Sequence, residues 1–155
     1  MLSFDLSLYL VTDRSLSLGR PLETVVEEAV KGGVTMVQLR EKDASTQDFY
    51  NMAMRLKQTL KPCNVPLIIN DRLDIALACD AEGLHIGQKD MPYTVARKLL
   101  GKDKIIGLSV ESVEDAIEAN NLDVDYIGIS PVFSTLTKTD TASALGLEGI
   151  REITR

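Results

Sequence analysis

Short apolar runs rich in Val, Ile and Leu alternate along the chain with stretches whose apolar residues recur at helical spacing. The runs predict strands over Leu8–Thr12, Val34–Arg40, Leu67–Ile69, Gly83–Ile86, Ile105–Ser109 and Asp125–Ile129. Being apolar nearly throughout, they suit a parallel sheet covered by helices rather than an antiparallel sheet with one wet face. Between them, Phe49, Met52, Ala53, Leu56 and Leu60 fall on one helical face, and Ser45 with Asp48 forms a capping box just ahead of it. Pro21 suits the first turn of a helix ending near Gly32 and Gly33, and Pro92 and Gly101 bracket another. Ser112 with Asp115 opens a further helix, and Leu147 to Arg155 reads as the last.

Alternating strands and helices build either a doubly wound sheet or a barrel, and periodicity does not choose between them. The polar residues bear on the choice because they collect just after strands: Gln38, Arg40 and Lys42, then Asn70 and Asp71, Gln88 and Asp90, Ser109, and finally Thr135, Thr137 and Lys138. A doubly wound sheet concentrates its site at one topological switch, whereas a barrel gathers every C-terminal strand end around one mouth. Contributions from so many junctions favour the barrel, here a TIM (β/α)8-type barrel with six βα units present.

Alternation along Val34 to Lys42 places Met36, Gln38, Arg40 and Lys42 on one face, which changes from apolar to cationic. Arg40 can donate two parallel bonds to phosphate oxygens and Lys42 adds a mobile point charge, a pair suited to a diphosphate; a solvated strand end is the alternative. Asp71 and Asp90 each follow a strand and precede a helix. Two hard oxygen ligands there would suit a Mg2+ ion shared with substrate phosphates, and helix capping is the competing reading. The loop from Ser130 to Lys138 supplies hydroxyls, backbone donors and one cation, or serves as a plain connector. His85, the single histidine, lies within a strand with no second His or nearby Cys to suggest zinc, so it is assigned to packing.

Composition narrows the field. Apolar residues at 45% and charged residues at 26% are ordinary for a globular chain, and 155 residues fit one domain, 1–155. A net charge of −6, with no basic run, argues against nucleic acid, and no segment is apolar for long enough to span a bilayer. Met1 to Leu10 lacks the features of a secretory signal, which makes the cytoplasm the expected location. Cys63 and Cys79 form no C-x-x-C pair and are expected to be reduced and without a role. No nucleophile elbow, P-loop or dinucleotide fingerprint is present.

Five motifs in one order, Gln38-Leu-Arg40-Glu-Lys42, Ile69-Asn-Asp-Arg72, Gly83-Leu-His-Ile-Gly-Gln-Lys-Asp90, Gly107-Leu-Ser109 and Pro131-Val-Phe-Ser-Thr-Leu-Thr-Lys138, resemble the thiamin-phosphate synthase family from about Leu8 to Arg155. The resemblance implies coupling of a hydroxymethylpyrimidine diphosphate to a thiazole phosphate, with release of pyrophosphate, by ionisation of the diphosphate bond and capture of the cation by the thiazole nitrogen. It implies that Arg40, Lys42 and Lys138 bind the diphosphate, Asp71 and Asp90 hold Mg2+, and Gln38 and Asn70 orient the pyrimidine. Ser109 would donate near the diphosphate or pyrimidine, and Thr135 and Thr137 would line the thiazole pocket.

A sister branch, a thiazole tautomerase, carries a catalytic His where this chain has Pro131, and would not need Asp90 for a metal. The resemblance also implies eight βα units, so two more are expected beyond the six, and the open edges of the sheet would otherwise expose apolar faces. Completion by another chain, a homo-oligomer, and a non-catalytic diphosphate-binding module stand as alternatives.

Overall fold

The computed structural model describes residues 4–134 and 143–155. Six strands, β1 (Tyr9–Val11), β2 (Met36–Leu39), β3 (Leu67–Asn70), β4 (Gly83–Ile86), β5 (Ile105–Val110) and β6 (Tyr126–Ile129), form one sheet in the order of the chain. Every neighbouring pair is parallel. The order never reverses, so there is no switch point of the doubly wound kind. The sheet is also curled. In a flat sheet β1 and β6 would lie about 24 Å apart, five strand spacings, yet the hydroxyls of Tyr9 on β1 and Tyr126 on β6 are 2.7 Å apart. The fold is therefore a parallel half-barrel with β1 and β6 as its edges.

The helices α1 (Leu22–Lys31), α2 (Thr46–Leu60), α3 (Leu73–Ala78), α4 (Tyr93–Leu100), α5 (Val113–Asn120) and α6 (Gly146–Ile153) follow the strands in turn. Ser45 accepts from the Asp48 N–H at the start of α2, and Ser112 from the Asp115 N–H at the start of α5, so both expected caps form. Pro21 and Pro92 stand one position earlier than expected, as extended N-cap residues rather than within the first turn. All five residues expected on the inner face of α2 are buried, and the four large ones, Phe49, Met52, Leu56 and Leu60, each stabilise the fold by roughly 1.5–3 kcal/mol.

Strand alternation divides the core into two layers. Val37, Leu39, Ile69, Leu84, Ile86, Ile106 and Leu108 point outward, into the layer shared with the helices. The concave face holds a small apolar floor of Met36, Ile68, Ile105 and Tyr126. Further along the same strands this face becomes polar, through Gln38, Asn70, His85 and Ser109. Large apolar side chains are exposed toward the β1 and β6 sides, with Val11 on β1 at 47% and Ile117 on α5 and Leu147 on α6 at 61% and 57%, and also away from them, as at Leu99 on α4 at 53%. No helix is long and apolar enough to cross a membrane among the described residues.

Candidate active site

The concave face opens at the C-terminal strand ends into a cavity of about 740 Å³. Gln38, Arg40, Lys42, Asn70, Asp71, Asp90 and Ser109, seven of the residues singled out in the sequence, line it together. Thr135, Thr137 and Lys138 lie outside the described residues.

Arg40 leaves β2 with its backbone N–H held by the Thr12 hydroxyl at 3.1 Å. Its guanidinium has no ion-pair partner among the described residues, although Arg40 helps to hold the Asp13 carboxyl below its ordinary range, after the stronger bonds from Ser15. Lys42 reaches across to β3, placing its ammonium 2.6 Å from Asp71 Oδ2. Asp71 has a left-handed backbone (φ 62°), and its N–H donates to the His85 carbonyl at 2.8 Å, fixing the turn between β3 and α3. Few residues tolerate that conformation, and Asp is among them.

Capping explains neither acid. The cap of α3 is Arg72 and that of α4 is Pro92, and neither helix has a side-chain cap bond. Asp90 instead accepts from the Gly87 N–H at 2.7 Å, closing its own turn at the cavity wall. Burial raises the Asp90 carboxyl above its usual range, the Gly87 bond opposes this, and the neighbouring Asp71 carboxyl adds to the rise. Two facing carboxyls that repel each other, with an ammonium at one of them, form an oxygen-rich pair able to accept a small hard cation that keeps other ligands from water and phosphate. Among the described residues no cluster of three or more His, Cys, Asp or Glu side chains could enclose a metal.

The floor differs from expectation at His85. Rather than packing against apolar neighbours, its ring bonds to the Tyr126 hydroxyl through Nδ1 (3.0 Å) and to Ser109 Oγ through Nε2 (2.9 Å). Tyr126 meets Tyr9, and Tyr9 Oη accepts from Gln38 Nε2 at 2.8 Å. Gln88 Nε2 donates to the Ser109 carbonyl at 2.7 Å, so Ser109 is held at both ends. Tyr9 and Tyr126 carried no assignment in the sequence. The available signal was strand alternation, which puts Tyr126 on the same face as Gly128.

Glu41, between the two cations, also escaped notice. Its side chain is 4% exposed; Oε2 pairs with Arg14 at 3.1 Å, while Oε1 is buried without a hydrogen bond. Burial raises this carboxyl, against the pull of Arg14 and with help from Asp13 and Asp43. A raised folded-state value means that the fold binds the proton more tightly than the unfolded chain does. The stability contribution is then full below the ordinary value of 4.5 and declines as pH rises through the folded value. Glu41→Gln removes that decline, so the variant should gain in urea midpoint over wild type between about pH 4 and about pH 7. Equal differences at both pH values would show that the buried charge has no such effect.

A parallel half-barrel whose strand ends bring a guanidinium with no ion-pair partner among the described residues, an ammonium and two carboxyls to one open cavity is a (β/α)-barrel type of protein with a polar, charged mouth. The chain matches the thiamine monophosphate synthase family model over residues 8–155. It is 60% identical over 148 residues to a thiamine-phosphate synthase of Syntrophomonas wolfei subsp. wolfei, covering 96% of this chain and 71% of that one. It is 52% identical over 153 residues to the thiamine-phosphate synthase of Clostridium novyi, covering 99% and 75%. Among solved structures, a thiamine phosphate pyrophosphorylase from Pyrococcus furiosus superposes with a TM-score of 0.83 at 40% identity, over 94% of this chain and 68% of that one. The citrate synthase SbnG, at 12% identity and a TM-score of 0.60 over 96% of this chain and 72% of that one, shares the fold alone. The chain belongs to the thiamine monophosphate synthase family.

Proposed function

We propose that the chain is a thiamin-phosphate synthase, a transferase joining hydroxymethylpyrimidine diphosphate to thiazole phosphate with release of pyrophosphate. The observation that carries the reading is the convergence of Arg40, Lys42, Asp71 and Asp90 on one cavity whose inner wall is Gln38, Asn70 and Ser109. Arg40 and Lys42 bind the diphosphate and take up charge as it departs, the guanidinium by two parallel bonds and the ammonium as a point charge. Gln38 and Asn70, both buried at strand ends, orient the pyrimidine. Ser109 donates to the diphosphate or the ring. By the resemblance, Thr135 and Thr137 would line the thiazole side and Lys138 would bind the diphosphate as a third cation; all three lie outside the described residues. Asp71 and Asp90 would hold Mg2+, which supplies further neutralisation of the leaving diphosphate when bound. No step requires a nucleophilic side chain, and the Ser109–His85 pair in the cavity wall runs on to the Tyr126 hydroxyl.

The reading extends to two further βα units completing an eight-stranded barrel, to a cytoplasmic setting, and to a second copy or another chain where the sheet edges stay open. A tautomerase is disfavoured by Pro131, which stands where that branch has its catalytic His.

Direct detection of thiamin phosphate from purified, folded chain with both substrates and Mg2+ tests the activity. Binding of the pyrimidine diphosphate without product would favour a non-catalytic binding module instead.

Asp90→Asn tests the metal reading, because the amide oxygen still accepts from Gly87 while the charge is lost. Mg2+ with inorganic pyrophosphate at about 100 times Kd should stabilise the wild type by about 2.7 kcal/mol, raising Tm by about 5–10 °C. Asp90→Asn should show little of that rise. An equal rise in both proteins would remove Asp90 from the metal site.

A further inference from the structure

We propose that Gln38, Tyr9, Tyr126 and His85 form a one-way hydrogen-bond chain that fixes the Ser109 hydroxyl as a donor into the cavity, with Tyr126 and His85 as positioning residues. The direction follows from accounting for each proton. An amide nitrogen only donates, so Gln38 Nε2 gives its hydrogen to Tyr9 Oη. In the relay Tyr9 Oη passes its own proton to its other partner among the described residues, Tyr126 Oη, the one arrangement that gives every proton of the chain a protein acceptor. One hydrogen lies between the two oxygens, which leaves the Tyr126 proton for His85 Nδ1. A neutral imidazole accepting at Nδ1 carries its hydrogen on Nε2, and that hydrogen goes to Ser109 Oγ. Ser109 then has its own proton left over, and the cavity is where the group opens.

The sheet is shaped for this chain. His85, Gly107 and Tyr126 occupy one cross-strand layer of β4, β5 and β6. A Cβ at Gly107 would lie 2.5 Å from Tyr126 Cε2 and closer still to the end of the ring, so only glycine lets the phenol cross β5 to reach His85. Gly128, opposite Ser109 in the ladder, leaves the imidazole room, since a Cβ there would sit 3.2 Å from His85 Cε1 and press the ring by a few tenths of an ångström. The two rings stack at 29° with centroids 5.6 Å apart. Burial raises both phenols above their ordinary range, so each keeps the proton that the chain passes on.

The consequence for catalysis rests on the functional reading above. A hydroxyl facing an anion can turn either its proton or its lone pairs toward it, and only the first helps a departing diphosphate. The relay makes that choice before substrate arrives, so no reorientation is left for the reacting complex.

The chain has a single histidine, so a sample labelled with 15N in its imidazole reports on His85 alone. The free wild-type protein should show a pyridine-like, unprotonated Nδ1 and a pyrrole-like, protonated Nε2. A protonated Nδ1 with a bare Nε2 would overturn the proposal without recourse to any variant. Tyr126→Phe should lose the fixed tautomer and lower kcat about tenfold with KM unchanged. Ser109→Ala should lower kcat by a similar factor while leaving the tautomer as it is. Adding Tyr126→Phe to Ser109→Ala should then cost nothing more. A further full loss in the double variant would show that Tyr126 acts other than through Ser109. If Ser109→Ala keeps full activity, the role given to Ser109 in the reaction fails, and the tautomer still reports on the chain itself.

Discussion

Replacing Arg40 by alanine should lower thiamin phosphate formation by about 10²–10³-fold while leaving the fold as stable as before. The size is that of one charge-assisted donor removed from a site where negative charge develops, about 2.7–4 kcal/mol. The loss should fall mainly on kcat, because the charge that Arg40 meets grows as the diphosphate departs. Stability should be spared because the guanidinium is in no ion pair among the described residues and the backbone N–H keeps its bond to Thr12. Arg40→Lys should lie between the two, retaining charge without the fork. Single-turnover product formation beside a thermal unfolding curve measures both. Arg40→Ala within threefold of wild type, on a folded protein, would take Arg40 out of the site.

Lys42 differs from Arg40 in a way that the sequence did not announce. Both were legible as cations at the end of β2, since alternation from Met36 carries them onto one face. That Lys42 is engaged by Asp71 at 2.6 Å depends on a contact 29 residues away. The same division runs through the whole fold. Local pattern was enough for the six strands, the buried face of α2 and the Ser45 and Ser112 caps, because spacing and capping chemistry act over a few residues. It was not enough for Asp71 and Asp90, where capping and a functional role predict the same residue type at the same place. Only the cap bonds absent from α3 and α4, and the turn that Asp90 closes on Gly87, separate the two.

His85 was read as packed for a related reason. Its partner Tyr126 lies 41 residues on, and the next link joins Tyr126 to Tyr9 across 117 residues, a contact that exists only because the sheet curls. Glu41 illustrates the limit from the other side. Its buried oxygen follows from how the β1 and β2 ends meet, which no alternation rule contains. The glycines were visible as breaks in apolar strands, and a glycine in a strand signals close approach by another group. What approaches differs from one to the next, and the difference has measurable consequences.

Gly83→Ala should destabilise the fold by about 3 kcal/mol, the upper end of what overpacking a tight interior typically costs. A Cβ on Gly83 would lie 2.7 Å from Ile68 Cδ1 on β3 and 2.8 Å from Ile105 Cβ on β5, and would overlap the Ile105 carbonyl oxygen. The isoleucine methyl can turn aside, but the carbonyl cannot move without parting β4 from β5. The relief of unfolded-chain entropy on replacing glycine is worth only about 0.5–1 kcal/mol, so the clash decides the sign. Tm should fall by about 6–12 °C. Gly107→Ala makes a closer approach on paper, yet the atoms it meets belong to the Tyr126 ring. That side chain can swing away, so the stability loss should be smaller than for Gly83→Ala while the His85 contact is lost. Urea unfolding of both variants beside the imidazole spectrum of Gly107→Ala separates the effects. A Gly83→Ala midpoint matching wild type would mean that β4 and β5 are not held together as tightly as the ladder between them requires.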